Sequence, residues 1–155
     1  QKEAGPWQHN VETMLLGEYT ENVIGAYRNW WTVDVRDTAE AHIRMLESDA
    51  VKNGQRFIAW STESRDVKDV CASIDRLLPE LGFAGANIID PHPEPIKQKA
   101  AMLRAIWEGC ELRNDRIRNI LGMEFRPLDT SLRDCVESLL TIGKVKPKLK
   151  QGFGY

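Results

Sequence analysis

Between Trp31 and Glu47 the hydrophobic period of the chain changes from two to that of a helix, and few folds accommodate such a change over so short a stretch. Trp31, Val33 and Val35 alternate with Thr32, Asp34 and Arg36, the pattern of a half-buried strand whose side chains point to opposite faces. Ala39, His42, Ile43 and Leu46 then fall on one helical face. On that face His42 is core-facing, and a hydrogen-bonded structural role is expected of it before one as base or ligand. Asp37 stands at the change with Glu40 three residues on, a capping box in which each side chain satisfies a backbone N–H. Asp34 is then an outward strand residue. A second short strand, Arg56 to Trp60, follows as an apolar run of the kind buried on both faces. Strand, capped helix and strand together predict a βαβ unit.

The flanking segments are read by the same rules. Trp7, Val11, Met14 and Leu15 recur at helical spacing, with Gly17 as the stop. Asn22 to Tyr27 and Trp30 to Val35 flank Arg28-Asn29, where Asn tolerates a hairpin turn. Val67, Val70, Cys71, Ile74, Leu77 and Leu78 give the cleanest amphipathic helix, with Ser64 as its N-cap and Pro79 and Gly82 closing it. Residues 83–95 read as loop around Ile88-Ile89, and Ile96 to Trp107 as helix. Asn114 caps a short helix ending at Gly122. Asp129 or Thr130 caps a last one carrying Leu132, Cys135, Val136, Leu139 and Leu140. Residues 144–155, with alternating lysines, two glycines and a proline, predict a flexible basic tail after a folded unit spanning 1–143.

Composition removes several functions. A formal net charge of −2 argues against a general nucleic-acid or anionic-membrane binder, which needs a basic face. No apolar run approaches the roughly 18 residues that cross a bilayer. Three cysteines, with Cys71 and Cys135 at apolar helical positions, predict buried thiols in a reducing, cytoplasmic setting. His9, His42 and His92 lack metal-ligand spacing, so no metal site is expected.

Several motifs in order resemble one family. WTVDVRDTAEAHI (31–43), GQRFI (54–58), NDRIRNILGMEFRPL (114–128) and DTSLRDCVESL (129–139) resemble the C-terminal half of extended short-chain dehydrogenases/reductases. The closest group is the dihydroflavonol and cinnamoyl-CoA reductases with the yeast-type methylglyoxal and aldehyde reductases. The resemblance covers roughly residues 10–143. It implies an α/β fold of Rossmann type, of which this chain is the C-terminal part: the last parallel strand and its helices with a small α+β substrate lobe, helix-rich as it stands. With Gln1 rather than Met at its start, the chain reads as part of something longer.

An enzyme of this family needs a glycine-rich turn for the dinucleotide pyrophosphate. It also needs a Tyr acid and a Lys four residues later that lowers the Tyr pKa. None is present. Gly82 and Gly85 follow a helix, and the residues four after Tyr19 and Tyr27 are Val23 and Trp31. No catalytic, cofactor-binding or metal residue is therefore expected here. NADPH, or NADH, is expected to bind only the parent, through an N-terminal Rossmann half. What the resemblance assigns to this chain is the wall of the substrate cleft: Trp7, Met14, Leu15, Glu18, Tyr19 and Trp30, each with core packing as its competing role. The expected partner is a small carbonyl compound, with no nucleic acid or membrane, and with a homo-oligomer open. Two rivals stand beside it: a non-catalytic binding domain of the same descent, and an extended-family member acting on sugar nucleotides or sterols.

Overall fold

The computed structural model describes residues 5–16, 30–61, 63–65, 67–83, 109–111, 113–143 and 145–147. Helix α1 (Pro6–Leu15) opens with Pro at its first position, where the missing N–H would have had no intrahelical partner. Strand β1 (Trp30–Trp31) pairs antiparallel with β2 (Ser64–Arg65), Trp30 opposite Arg65 and Trp31 opposite Ser64. Between them runs α2 (Val35–Glu47). Helix α3 (Val67–Glu80) follows β2, and then come α4 (Asp115–Leu121) and α5 (Leu128–Thr141).

The junction at residues 31–37 differs from the sequence expectation by one helical turn. The helix begins at Val35, because Asp34 supplies the N-cap and accepts the Arg36 backbone N–H at 2.9 Å. The strand therefore ends at Trp31, although Ser61 still donates its N–H to Thr32 O at 2.8 Å. Asp37 is not the cap. It lies in the first turn, 1 % exposed, where it pairs with the Arg126 guanidinium and accepts the Arg126 N–H at 2.8 Å. Glu40 likewise leaves the capping box and pairs with Arg44 one turn on. Both aspartates suit an N-cap; the distant partner Arg126 decides which one becomes it.

The covered face of α2 is also rotated from the one the pattern marked. Asp37 and Ala41 are buried and Met45 packs beside them against α4. Ile43 and Leu46, by contrast, are 54 % and 88 % exposed. His42 is exposed as well, its Nδ1 2.7 Å from Thr38 O. Residues 56–60 form no assigned strand. Phe57 and Ala59 turn toward the α2–α4 cluster while Ile58, 61 % exposed, points away. The segment is thus buried on one side only.

Two apolar clusters result. The larger joins α1, α3 and α5 through Val11, Met14, Ile74, Leu78, Leu132 and Val136, each buried side chain contributing about 1.5–3 kcal/mol. The α3 stripe is as the spacing predicts, with Val70, Ile74 and Leu78 at 0 % exposure. Pro79 is tolerated inside its last turn. Gly82, at φ +88°, then reverses the chain so that the Phe83 N–H reaches Leu78 O at 2.9 Å. Ser64 is a strand residue rather than the cap of this helix. Val145 packs into the same cluster and Pro147 is buried, so the chain is anchored past the point where a flexible tail was expected to begin.

The smaller cluster holds Ala41, Ile117, Leu121 and Met123. Helix α4 runs from Asp115 to Leu121, between Asn114 and Gly122 as predicted. Asn114 does not cap it with its side chain, however; its Nδ2 donates to Trp60 O at 2.9 Å. Arg44 closes the other end, its Nη1 donating to Leu121 O and Gly122 O at 2.8 and 2.7 Å, a cation placed on orphan helix carbonyls. The last helix is entered from Pro127 with no side-chain cap bond. Asp129, in its first turn, pairs instead with Arg65 of β2. The expected hairpin at 22–29, the loop at 84–95, the helix at 96–107 and residues 148–155 lie outside the described residues.

Candidate functional site

The capped start of α2, the N-terminal half of α1 and one side of α5 enclose a groove of about 700 Å³. Its apolar wall includes Trp7, Val11, Trp31 and Leu132. Trp7 leans over it, 56 % exposed, while Val11 and Leu132 belong to the core beneath. The sequence places these groups together because α1 and α5 share the larger cluster, and the side chains one position beyond that buried stripe meet at its edge.

The polar side is one network. Arg36 donates from Nε to Asp34 Oδ1 at 2.8 Å and from Nη2 to Asp34 Oδ2 at 2.7 Å. Ser131 of α5 donates from Oγ to Asp34 Oδ2, also at 2.7 Å. The Arg36 Nη2 lies 2.7 Å from Asp134 Oδ2 as well. A bidentate guanidinium with a hydroxyl and a backbone N–H satisfies a buried carboxylate, and the Arg36 bonds hold the Asp34 carboxyl far below the usual range. Cys135 also lines the groove. Burial pushes its thiol up, and Glu12 pushes it the same way.

The Asp34 network makes the chain acid-sensitive. The folded carboxyl titrates below the ordinary value of 3.8, so between the two values the unfolded chain binds more protons. Its contribution is complete above that ordinary value and is lost as pH falls through the depressed one. Asp129, held low by Arg65, acts in the same direction. Urea unfolding at pH 7 and pH 3 should show the native chain losing about 1 kcal/mol more than an Asp34→Asn variant. Equal losses would remove Asp34 from the account.

Of the residues expected to face a substrate, only Trp7 is placed in this groove. Met14 and Leu15 are 0 % exposed and sit inside the larger cluster. Glu18 and Tyr19 lie outside the described residues, as does the side chain of Trp30, whose backbone forms β1. Sequence reasoning missed Trp31 and the Asp34–Arg36–Asp134 network. The local Asp34–Arg36 pair was visible in VDVRD, but nothing in the sequence tied it to Ser131 and Asp134.

A second hollow, of about 600 Å³, is lined by Arg56, Arg113 and Arg116 with Phe57, Ile58 and Asp115. Among the described residues no three His, Cys, Asp or Glu side chains gather as for a metal ion, and no helix is long and apolar enough to cross a membrane. Of the helix starts that border the larger groove, that of α2 is capped by Asp34, while Asp129 in the first turn of α5 is paired with Arg65.

No protein-family model matches the chain, and no solved structure matches it significantly. A curated protein of Aspergillus niger named ketoreductase azaE is 31 % identical over 134 residues, which are 85 % of this chain and 35 % of that protein. The chain thus spans about a third of the length of the relative it matches.

Proposed function

We propose that this chain is the substrate-facing lobe of an NAD(P)H-dependent reductase that converts an aldehyde or ketone to an alcohol. The observation that carries the reading is the likeness to a ketoreductase along 85 % of the chain. The motif order of the dihydroflavonol, cinnamoyl-CoA and methylglyoxal/aldehyde reductase group supports the finer placement, with NADPH as the favoured hydride donor. The groove is consistent with the role. It offers an apolar wall with two indoles and a polar rim whose members are engaged with one another, so its work is orientation and exclusion of water rather than proton transfer. The hydride comes from the nicotinamide, and the groups that hold it and supply the proton belong to the parent outside this chain.

On this reading the aryl or alkyl body of the substrate rests against Trp7 and Trp31 and directs its carbonyl out of the groove. Trp7→Ala in the parent enzyme should raise KM for an aryl ketone about tenfold, the loss of one aromatic contact. Because Trp7 is 56 % exposed, the unfolding midpoint should stay unchanged. An unaltered KM would remove this groove from the substrate path.

A further inference from the structure

Among the described residues, the charged lining of the larger groove is Asp34, Arg36 and Asp134, two negative groups and one positive. An arginine fork is the usual reader of carboxylate and phosphate groups, but here the fork, 47 % exposed at its side chain, is already engaged by two carboxylates. Its Nε and Nη2 are bound to Asp34 at 2.8 and 2.7 Å, and Nη2 also meets Asp134 at 2.7 Å. Asp34 is 4 % exposed at its side chain and matched by Arg36; Asp134 is 45 % exposed. One negative charge is therefore left over, and it stands at the accessible rim on α5. The wall opposite is neutral and aromatic. The hollow at Arg56, Arg113 and Arg116, with Asp115, has the reverse net sign, so the two hollows differ in the charge they present.

We infer that the groove is a charge filter: it admits uncharged or cationic aromatic carbonyl compounds and disfavours those carrying a carboxylate or phosphate, with Asp134 as the specificity-determining residue. The inference rests on the reductase reading and narrows its substrate class, setting nucleotide-linked and acidic substrates aside. The indoles of Trp7 and Trp31 favour a cationic ring substituent further. One partly solvated charge a few ångströms from the ligand corresponds to a preference of about tenfold, reduced by salt.

The test uses three aryl ketones of one skeleton, differing only in a methyl, a trimethylammonium or a carboxylate substituent, titrated calorimetrically into the chain. The carboxylate compound should bind about tenfold more weakly than the methyl one. Asp134→Asn, at an exposed helical position, should close that gap, and Asp134→Lys should invert the order. Equal or tighter binding of the carboxylate compound overturns the filter and leaves the reductase reading standing. Absence of binding by all three overturns the groove as a substrate site, and the filter with it.

Discussion

Arg126→Ala should lower the stability of the chain by about 3 kcal/mol, a large share of the roughly 5–15 kcal/mol that holds a domain folded. Asp37 is 1 % exposed and faces Arg126 twice, through the guanidinium and through the backbone N–H at 2.8 Å. Truncation leaves the N–H and removes the cation, so a carboxylate remains buried with its charge uncompensated. The cost falls at the lower end of such cases because the Arg126 side chain is itself 37 % exposed and water reaches the site. Denaturant unfolding gives the value directly. Arg113→Ala is the control, since its pair with Glu111 is 67 % and 69 % exposed and such pairs contribute about 0–1 kcal/mol. Similar losses in the two variants would mean that Asp37–Arg126 does not join α2 to the entry of α5.

Met14→Ala should cost about 2–5 kcal/mol, the transfer and cavity loss of a large side chain in a close-packed core. Met14 is 0 % exposed among Val11, Ile74, Val136 and their neighbours. The family resemblance puts the same residue on the wall of a substrate cleft. The two roles separate experimentally, for a core methionine lowers the unfolding midpoint and a cleft methionine raises KM. The first outcome is expected, with KM per folded enzyme unchanged. A stable variant with weakened substrate binding would return Met14 to the cleft.

Elements whose burial follows one stripe are legible in the sequence. Helix α3 is one such element, because Val70, Ile74 and Leu78 share a face that nothing contests. The stretch from Asn114 to Gly122 is another, closed by a glycine at φ +61°. Helix α2 was misread on two counts, each with a physical cause. It carries apolar residues on more than one side, so periodicity could not tell Ala41 and Met45, which pack, from Ile43 and Leu46, which do not. It also offers two capping aspartates a turn apart, and the choice is made by Arg126 and Ser131, far away in sequence. The groove was half legible. Trp7 was singled out for its place on the cleft helix, while Trp31 was spent on a strand that ends with it. Asp134 carries no local sign of a role, since its partner Arg36 reaches it only where the start of α2 meets α5.

We propose above that this lobe orients a carbonyl compound for a hydride held elsewhere in the same enzyme. Loss of NADPH absorbance in the presence of an aryl ketone tests it most directly, measured side by side for this chain and for a protein of the relative's full extent that contains it. The account predicts ketone-dependent oxidation by the longer protein, with the alcohol as product, and none by the 155-residue chain alone. Turnover by the isolated chain, or none by the longer protein with any carbonyl compound, would contradict it.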